Sequence, residues 1–297
     1  MVRRKNKGLT LVAILLTMAC AAGTRGGAQE AATQQSATQQ PATSQSAAQE
    51  SPWQANHDAG KKAFEAHRYG EAEKFYSAGL AQAEKFGEKD LRLAVSLFDM
   101  GTIYYVQQRY EKAEKVLKRA IAIREDVPGP DEPELNRVLL QLGEVYRAER
   151  RFDEAQSLYD HVLEMSEVQT TEGQLVTGTV YLDMALLYAE EQNLARAETL
   201  YFIALPLFQK AEGADSLAAG ETFLNLGQLY QAKNAYADSE KNYLEAIAVF
   251  EKAGELENAR LAAALESYAN MLREMNRKDE ASRAEKRARE VRRRKAN

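Results

Sequence analysis

The sequence predicts an all-α solenoid of about six helix-turn-helix units, and three observations predict it. Prolines number six in 297 residues, and Ala, Leu, Glu, Lys and Arg are abundant, a composition that favours helix. Small residues recur at a nearly constant step: Gly60, Gly101, Gly143, Ala185, Gly227 and Ala269 lie 41 or 42 residues apart. Around them, apolar residues fall at i, i+3 and i+7, with the small residue at i+4, as in Leu97, Met100, Gly101 and Tyr104. That spacing places one stripe on one helix face, and a period in this range belongs to stacked supersecondary units.

The first element is an address. Residues 2–8 are basic, and residues 9–22 (LTLVAILLTMACAA) are uncharged and mostly apolar. This is the layout of a secretory signal over residues 1–21, with an apolar core too short to span a bilayer comfortably. Leu15-Leu16-Thr17-Met18-Ala19-Cys20 resembles a bacterial lipobox, although Thr17 stands where an apolar residue is usual. The resemblance implies a mature chain that starts at a lipid-modified Cys20. Cleavage after Ala21 (Ala19-Cys20-Ala21 is an A-x-A site) would instead release a soluble product, and an uncleaved core would stay as an anchor. Cys20 is the single cysteine, so the body has no internal disulfide. Residues 22–52 are rich in Ala, Thr, Gln, Ser and Gly. They carry too little apolar surface to offset chain entropy, so a disordered leash is expected.

The body, residues 53–292, divides into units at about 53–92, 93–133, 134–175, 176–217, 218–259 and 260–292. The first helix of each unit carries the small residue: Leu139, Leu142, Gly143 and Tyr146 repeat the pattern, as do Tyr181, Met184, Ala185 and Tyr188. Tyr69, Tyr110, Phe152, Leu194 and Tyr236 follow nine residues after it. Ala72, Ala113, Ala155, Ala197, Ser239 and Ala281 follow twelve after, and Tyr76, Leu117, Tyr159, Tyr201 and Tyr243 sixteen after. These form the stripe of a second helix. Polar pairs such as Gln108-Arg109 and Arg150-Arg151 fill the turn between the two. Gly87, Gly129, Gly173, Gly213 and Gly254 stand in the inter-unit connections, where helix C-caps are expected. Pro133 suits a first helical turn; Pro206 falls inside a second helix, which it should kink or shorten.

A small residue followed by Tyr at three, an aromatic at nine, Ala at twelve and an aromatic at sixteen resembles the tetratricopeptide consensus. The added length per unit resembles the kinesin-light-chain type. Lys118 to Arg124 (KRAIAIR) followed by Gly129 to Pro133 (GPDEP) is similar to that subtype's helix end and loop, with Glu132 where histidine is usual. The resemblance implies a right-handed superhelix whose first helices line a concave groove. It places groove contacts two residues before the small residue (Asp99, Gln141, Asp183, Asn225), one after it (Thr102, Glu144, Gln228) and four after it (Tyr105, Arg147, Gln231). The first column resembles the asparagine-rich column that binds peptide backbone in that subtype. Two of its four members are acidic here, which favours a basic or amide-rich segment. Tyr105 is expected to face the groove; the other tyrosines fall mostly at packing positions.

Signals for chemistry are missing. His57, His67 and His161 form no metal-ligand spacing, and no phosphate loop, dinucleotide fingerprint or nucleophile elbow is present. No enzyme activity, cofactor, metal or small-molecule substrate is expected. The net charge is −5 and the body is acidic, which disfavours nucleic acid. Residues 283–297 carry eight basic against two acidic groups and suit a solvated capping helix. The expected function is a non-catalytic adaptor of the cell envelope that binds a protein or peptide segment, membrane-held through Cys20. Ala21 in place of an aspartate favours the outer membrane. The alternative is a structural subunit of an envelope assembly.

Overall fold

A computed structural model describes residues 51–127, 132–254 and 258–294. The signal, Cys20, residues 22–50 of the leash, Gly129 and the last three residues lie outside the described residues. Twelve α-helices and no strand occur among the described residues: α1 (Pro52–Glu65), α2 (Tyr69–Ala83), α3 (Leu91–Val106), α4 (Tyr110–Asp126), α5 (Glu132–Ala148), α6 (Phe152–Met165), α7 (Thr171–Glu190), α8 (Leu194–Glu212), α9 (Leu217–Ala232), α10 (Tyr236–Ala253), α11 (Asn258–Glu274) and α12 (Lys278–Arg294).

Each helix packs chiefly on its neighbours in sequence, and α3, α5, α7, α9 and α11 also touch one another in series. That one-dimensional order defines a solenoid, since no unit buries its apolar stripe alone. Within a unit, the small residue of the first helix receives the side chain sixteen positions later. A Cβ added at Gly101 would lie 2.6 Å from Leu117 Cδ2, and one at Gly227 would lie 2.7 Å from Tyr243 Cδ1. Tyr159, Tyr201 and Tyr243 are in consequence among the largest fully buried side chains.

The turn inside each unit closes on a left-handed residue. His67, Gln108, Arg150, Gln192, Asn234 and Asn276 have φ between 57° and 66°. The next residue's N–H reaches back to the first helix: Arg109 donates to the Tyr104 carbonyl and Arg151 to the Tyr146 carbonyl, both at 2.8 Å. This bond satisfies a carbonyl that the helix end would otherwise orphan. Polar residues hold the left-handed position at a small steric cost, where glycine is the commoner choice.

Three expectations change. Gly87, Gly213 and Gly254 do carry positive φ beyond second helices, but Gly173 lies inside the first turn of α7. Its N–H donates to the Thr170 hydroxyl at 2.9 Å, and a Cβ there would run into the Glu167 carbonyl. A tight connection, not a C-cap, demands that glycine. Pro206 does not shorten α8, which runs 19 residues through it. The ring sits on the exposed side of the helix. Tyr105 is not open: it is 9% exposed, and its hydroxyl is taken up by Glu144.

At the amino end, Pro52 starts α1 behind Ser51, whose hydroxyl accepts the Gln54 N–H. Trp53 packs into the core and its Nε1 donates to Ser96 Oγ on α3 at 2.8 Å. At the other end, α12 buries Ala281, Ala284, Ala288 and Val291 and turns Arg283, Arg287, Arg289, Arg292 and Arg293 outward. Arg287 pairs with Glu251, and Arg292 with Glu266 at 2.8 Å. No described helix is long and apolar enough to cross a membrane.

Candidate functional site

The inner layer of α3, α5, α7 and α9 brings the expected groove residues onto successive helices. Asp99, Thr102, Gln141, Glu144, Asn225, Gln228 and Gln231 are half-buried. Tyr105, Arg147 and Asp183 are 9%, 4% and 9% exposed. Several of these groups bind one another.

Glu144 is the hub. Its carboxylate accepts Arg147 Nε at 3.0 Å and Nη2 at 2.6 Å, the Tyr105 hydroxyl at 3.1 Å and the Tyr159 hydroxyl at 3.4 Å. Burial opposes its charge, but the Arg147 guanidinium and these donors outweigh burial and hold the carboxyl below its usual value. Arg147 also bonds Glu190 at the end of α7. Burial raises the Glu190 carboxyl despite that partner. On α9, Glu221 accepts Arg260 Nε at 2.6 Å.

Asp183 stands apart. It makes no hydrogen bond or ion pair with any described residue, and burial together with the charge of Glu144 pushes its carboxyl well up. Gln141, one rung earlier in the same column, has its side-chain nitrogen buried without a partner among the described residues. Asp99, the first rung, is already engaged: His57 Nδ1 of α1 lies 2.7 Å from its carboxylate. That hydrogen bond raises the imidazole pKa above 6.5, and the ring stacks on Trp53 at 5.5 Å. Gln231 accepts the Tyr243 hydroxyl at 2.7 Å, and Thr102 bonds the Phe98 carbonyl of its own helix.

The repeated helix pair, its step and its seam agree with comparison to known proteins. A tetratricopeptide-repeat family model matches residues 55–126, 99–167 and 176–252. The chain belongs to the tetratricopeptide-repeat family. Comparison with curated proteins finds no match. Among solved structures, BtubC (BKLC) from P. vanneervenii is similar at a TM-score of 0.62 and 20% identity, over 74% of this chain and 89% of that one. A Rap protein complexed with competence and sporulation factor is similar at 0.57 and 12%, over 82% and 76%. A putative kinesin light chain from Podosopora anserina with nearly identical repeats is similar at 0.52 and 16%, over 69% and 99%. At these identities the likeness is one of fold.

Sequence reasoning missed several groups of this tetratricopeptide site. Glu190 on α7 and Glu221 on α9, five after and six before their small residues, were not singled out. A second set lies on the turn edge, where Glu73, Glu114, Gln156, Glu198 and Glu240 repeat every 41 or 42 residues. Each holds the next repeat. Glu114 accepts Arg151 Nη1 at 2.8 Å and the Tyr146 hydroxyl at 3.1 Å, and Arg151 stacks on the Tyr146 ring at 4.0 Å. Glu240 does the same with Arg277 and Tyr268, both at 2.7 Å. The period of these polar side chains was the available signal. Among the described residues, no group of three His, Cys, Asp or Glu side chains is placed to hold a metal ion.

Proposed function

We propose that this tetratricopeptide-repeat protein is a non-catalytic adaptor that takes an extended segment of a partner protein along the Asp99–Gln141–Asp183–Asn225 column. One observation carries the proposal: the Gln141 side-chain nitrogen is buried without a partner, and Asp183, 9% exposed on the next rung, has no hydrogen bond or ion pair among the described residues. Buried polar groups are nearly always bonded, so adjacent exceptions on one inner face suit a backbone that supplies acceptors and donors from outside. The Rap protein complexed with competence and sporulation factor supports this, because the same fold there takes a second molecule. The site of action is the cell envelope, on the strength of the signal-like residues 1–21 and Cys20.

The test is site-specific photocrosslinking in intact cells. A crosslinker at Asn225 or Thr102 should capture one partner that a crosslinker at Phe202, on the outer face, does not. Equal capture at both faces would overturn the groove. Palmitate labelling that disappears in Cys20→Ser supports the lipid anchor; labelling that persists, or never occurs, overturns it.

A second proposal, a structural subunit held through the outer face, has its own observation. Phe202 and Leu244 are 53% and 48% exposed at equivalent positions of α8 and α10. In that case a stoichiometric partner copurifies and is lost in Phe202→Ser with Leu244→Ser, while groove substitutions leave it bound.

A further inference from the structure

We propose that the middle of the groove, between α5 and α9, receives a single basic side chain, a lysine or an arginine, carried by the partner segment. This rests on the groove proposal and assigns the chemistry of its centre. Four carboxyl groups face this region: Glu144 on α5, Asp183 and Glu190 on α7, and Glu221 on α9. Two guanidinium groups accompany them. Arg147 serves Glu144 and Glu190, and Arg260 serves Glu221. Three of the four carboxyls thus have an arginine partner, and Asp183 has none among the described residues.

Most of Asp183 is covered, and its carboxyl reaches the surface of the inner face without a donor among the described residues. It is 9% exposed, lies on the inner face of α7, and has neither an ion pair nor a hydrogen bond among the described residues. A buried carboxyl without a donor is costly, and such an exception asks for a partner the molecule does not itself contain. The neighbours narrow the class. An anion would meet Glu144 and Glu221. A metal ion would find one free carboxyl, because the other three are tied to arginines, and no three-ligand group is placed for it. A basic side chain needs one acceptor and one opposite charge, which Asp183 supplies on ionising.

Gln141 completes the fit. Its unbonded side-chain nitrogen sits on the neighbouring helix at the previous rung of the column. With its amide turned outward, it would donate to a backbone carbonyl of the segment whose ammonium or guanidinium reaches Asp183. Burial and the Glu144 charge, with Glu221 adding to it, push the Asp183 carboxyl up against the pull of Arg147. An arriving cation would reverse that balance.

The experiment compares three peptides on the full chain labelled with 15N. Each is acetyl-Ser-Ala-Ser-Ala-X-Ala-Ser-Ala-Ser-amide, with lysine, glutamine or glutamate as X. The lysine peptide should bind about tenfold tighter than the glutamine one, the size of one charge-assisted hydrogen bond, and the glutamate peptide weakest. The gap between lysine and glutamine should close in Asp183→Asn, which keeps the side chain's shape and removes its charge. Equal binding of lysine and glutamine peptides, with shifts in the Gln141, Asn225 and Gln228 side-chain amides, would overturn the cation receptor and leave the groove. No shift in those amides with any peptide would overturn the groove and the receptor together. A gap undiminished in Asp183→Asn would assign the preference to other acids and overturn the role of Asp183. The lysine–glutamine comparison on the unaltered protein decides the matter if the variant does not fold.

Discussion

Replacing Arg147 by methionine removes the one cation between Glu144 and Glu190 and keeps most of its volume. Arg147 is 4% exposed, bonds Glu144 through Nε and Nη2 at 3.0 and 2.6 Å, and bonds Glu190 as well. Its loss leaves two carboxyl groups in a buried layer with only the Tyr105 and Tyr159 hydroxyls on Glu144. Breaking a buried pair by removing one partner costs about 3–5 kcal/mol, a large part of the ~5–15 kcal/mol that holds a domain together. Urea unfolding followed by far-ultraviolet circular dichroism measures it. The pH dependence should also change sign. In the native protein the Glu144 carboxyl is held below its ordinary 4.5, so its stabilisation is present above that value and is lost as pH falls through the lowered one. In the variant the buried carboxyl rises above its unfolded value, so stability should increase on going from about pH 8 to pH 5. Arg147→Met with Glu144→Gln should recover most of the loss, because the uncompensated charge is gone. A loss below about 1 kcal/mol for the single change, or a double variant no better than the single one, would refute this account.

Three further outcomes can be measured directly. His57 should titrate above 6.5, with its contribution to the α1–α3 contact complete below that value and lost as pH rises through the raised one. Emission of Trp53, the sole tryptophan, should report the midpoint, and Asp99→Asn should move it back towards 6.5. Glu114 should titrate at about 2, held down by Arg151, Lys118 and Tyr146, as carbon NMR of its carboxyl would show. By linkage a carboxyl held that low stabilises the fold at neutral pH, so Glu114→Gln should cost about 2–3 kcal/mol there, and the difference should vanish as pH falls through the lowered value. Gly173→Ala should cost about 3 kcal/mol, since the new Cβ meets the Glu167 backbone carbonyl, which cannot rotate away. Gly70→Ala, which has nothing within 4 Å, should be neutral or stabilising by up to about 1 kcal/mol, and urea midpoints compare the two.

The repeat was legible because its signal is local and multiplied. Gly101 and Leu117 lie sixteen residues apart on two helices joined by a short turn, and the same pair recurs in other units. Errors in one unit are corrected by the next. Gly173 misled because its role depends on where the Glu167 carbonyl points, which no spacing records. Tyr105 misled for a related reason. An aromatic residue one step past the packing tyrosine looks open on its own helix, yet Glu144 on α5 draws it under cover.

By itself, the sequence determined that the chain is helical and that its helices come in pairs at a fixed step; the inner columns came with the family resemblance those residues carry. Period and stripe are properties of residues close along the chain, so they need no knowledge of distant partners. Only the tertiary structure decided which column members are spent and which are free. His57 takes Asp99 from 42 positions away, Arg147 reaches 43 positions to Glu190, and Asp183 is left with no partner among the described residues. Those outcomes depend on how one helix leans on the next, because a charge is compensated by whatever comes within a few ångströms of it in space.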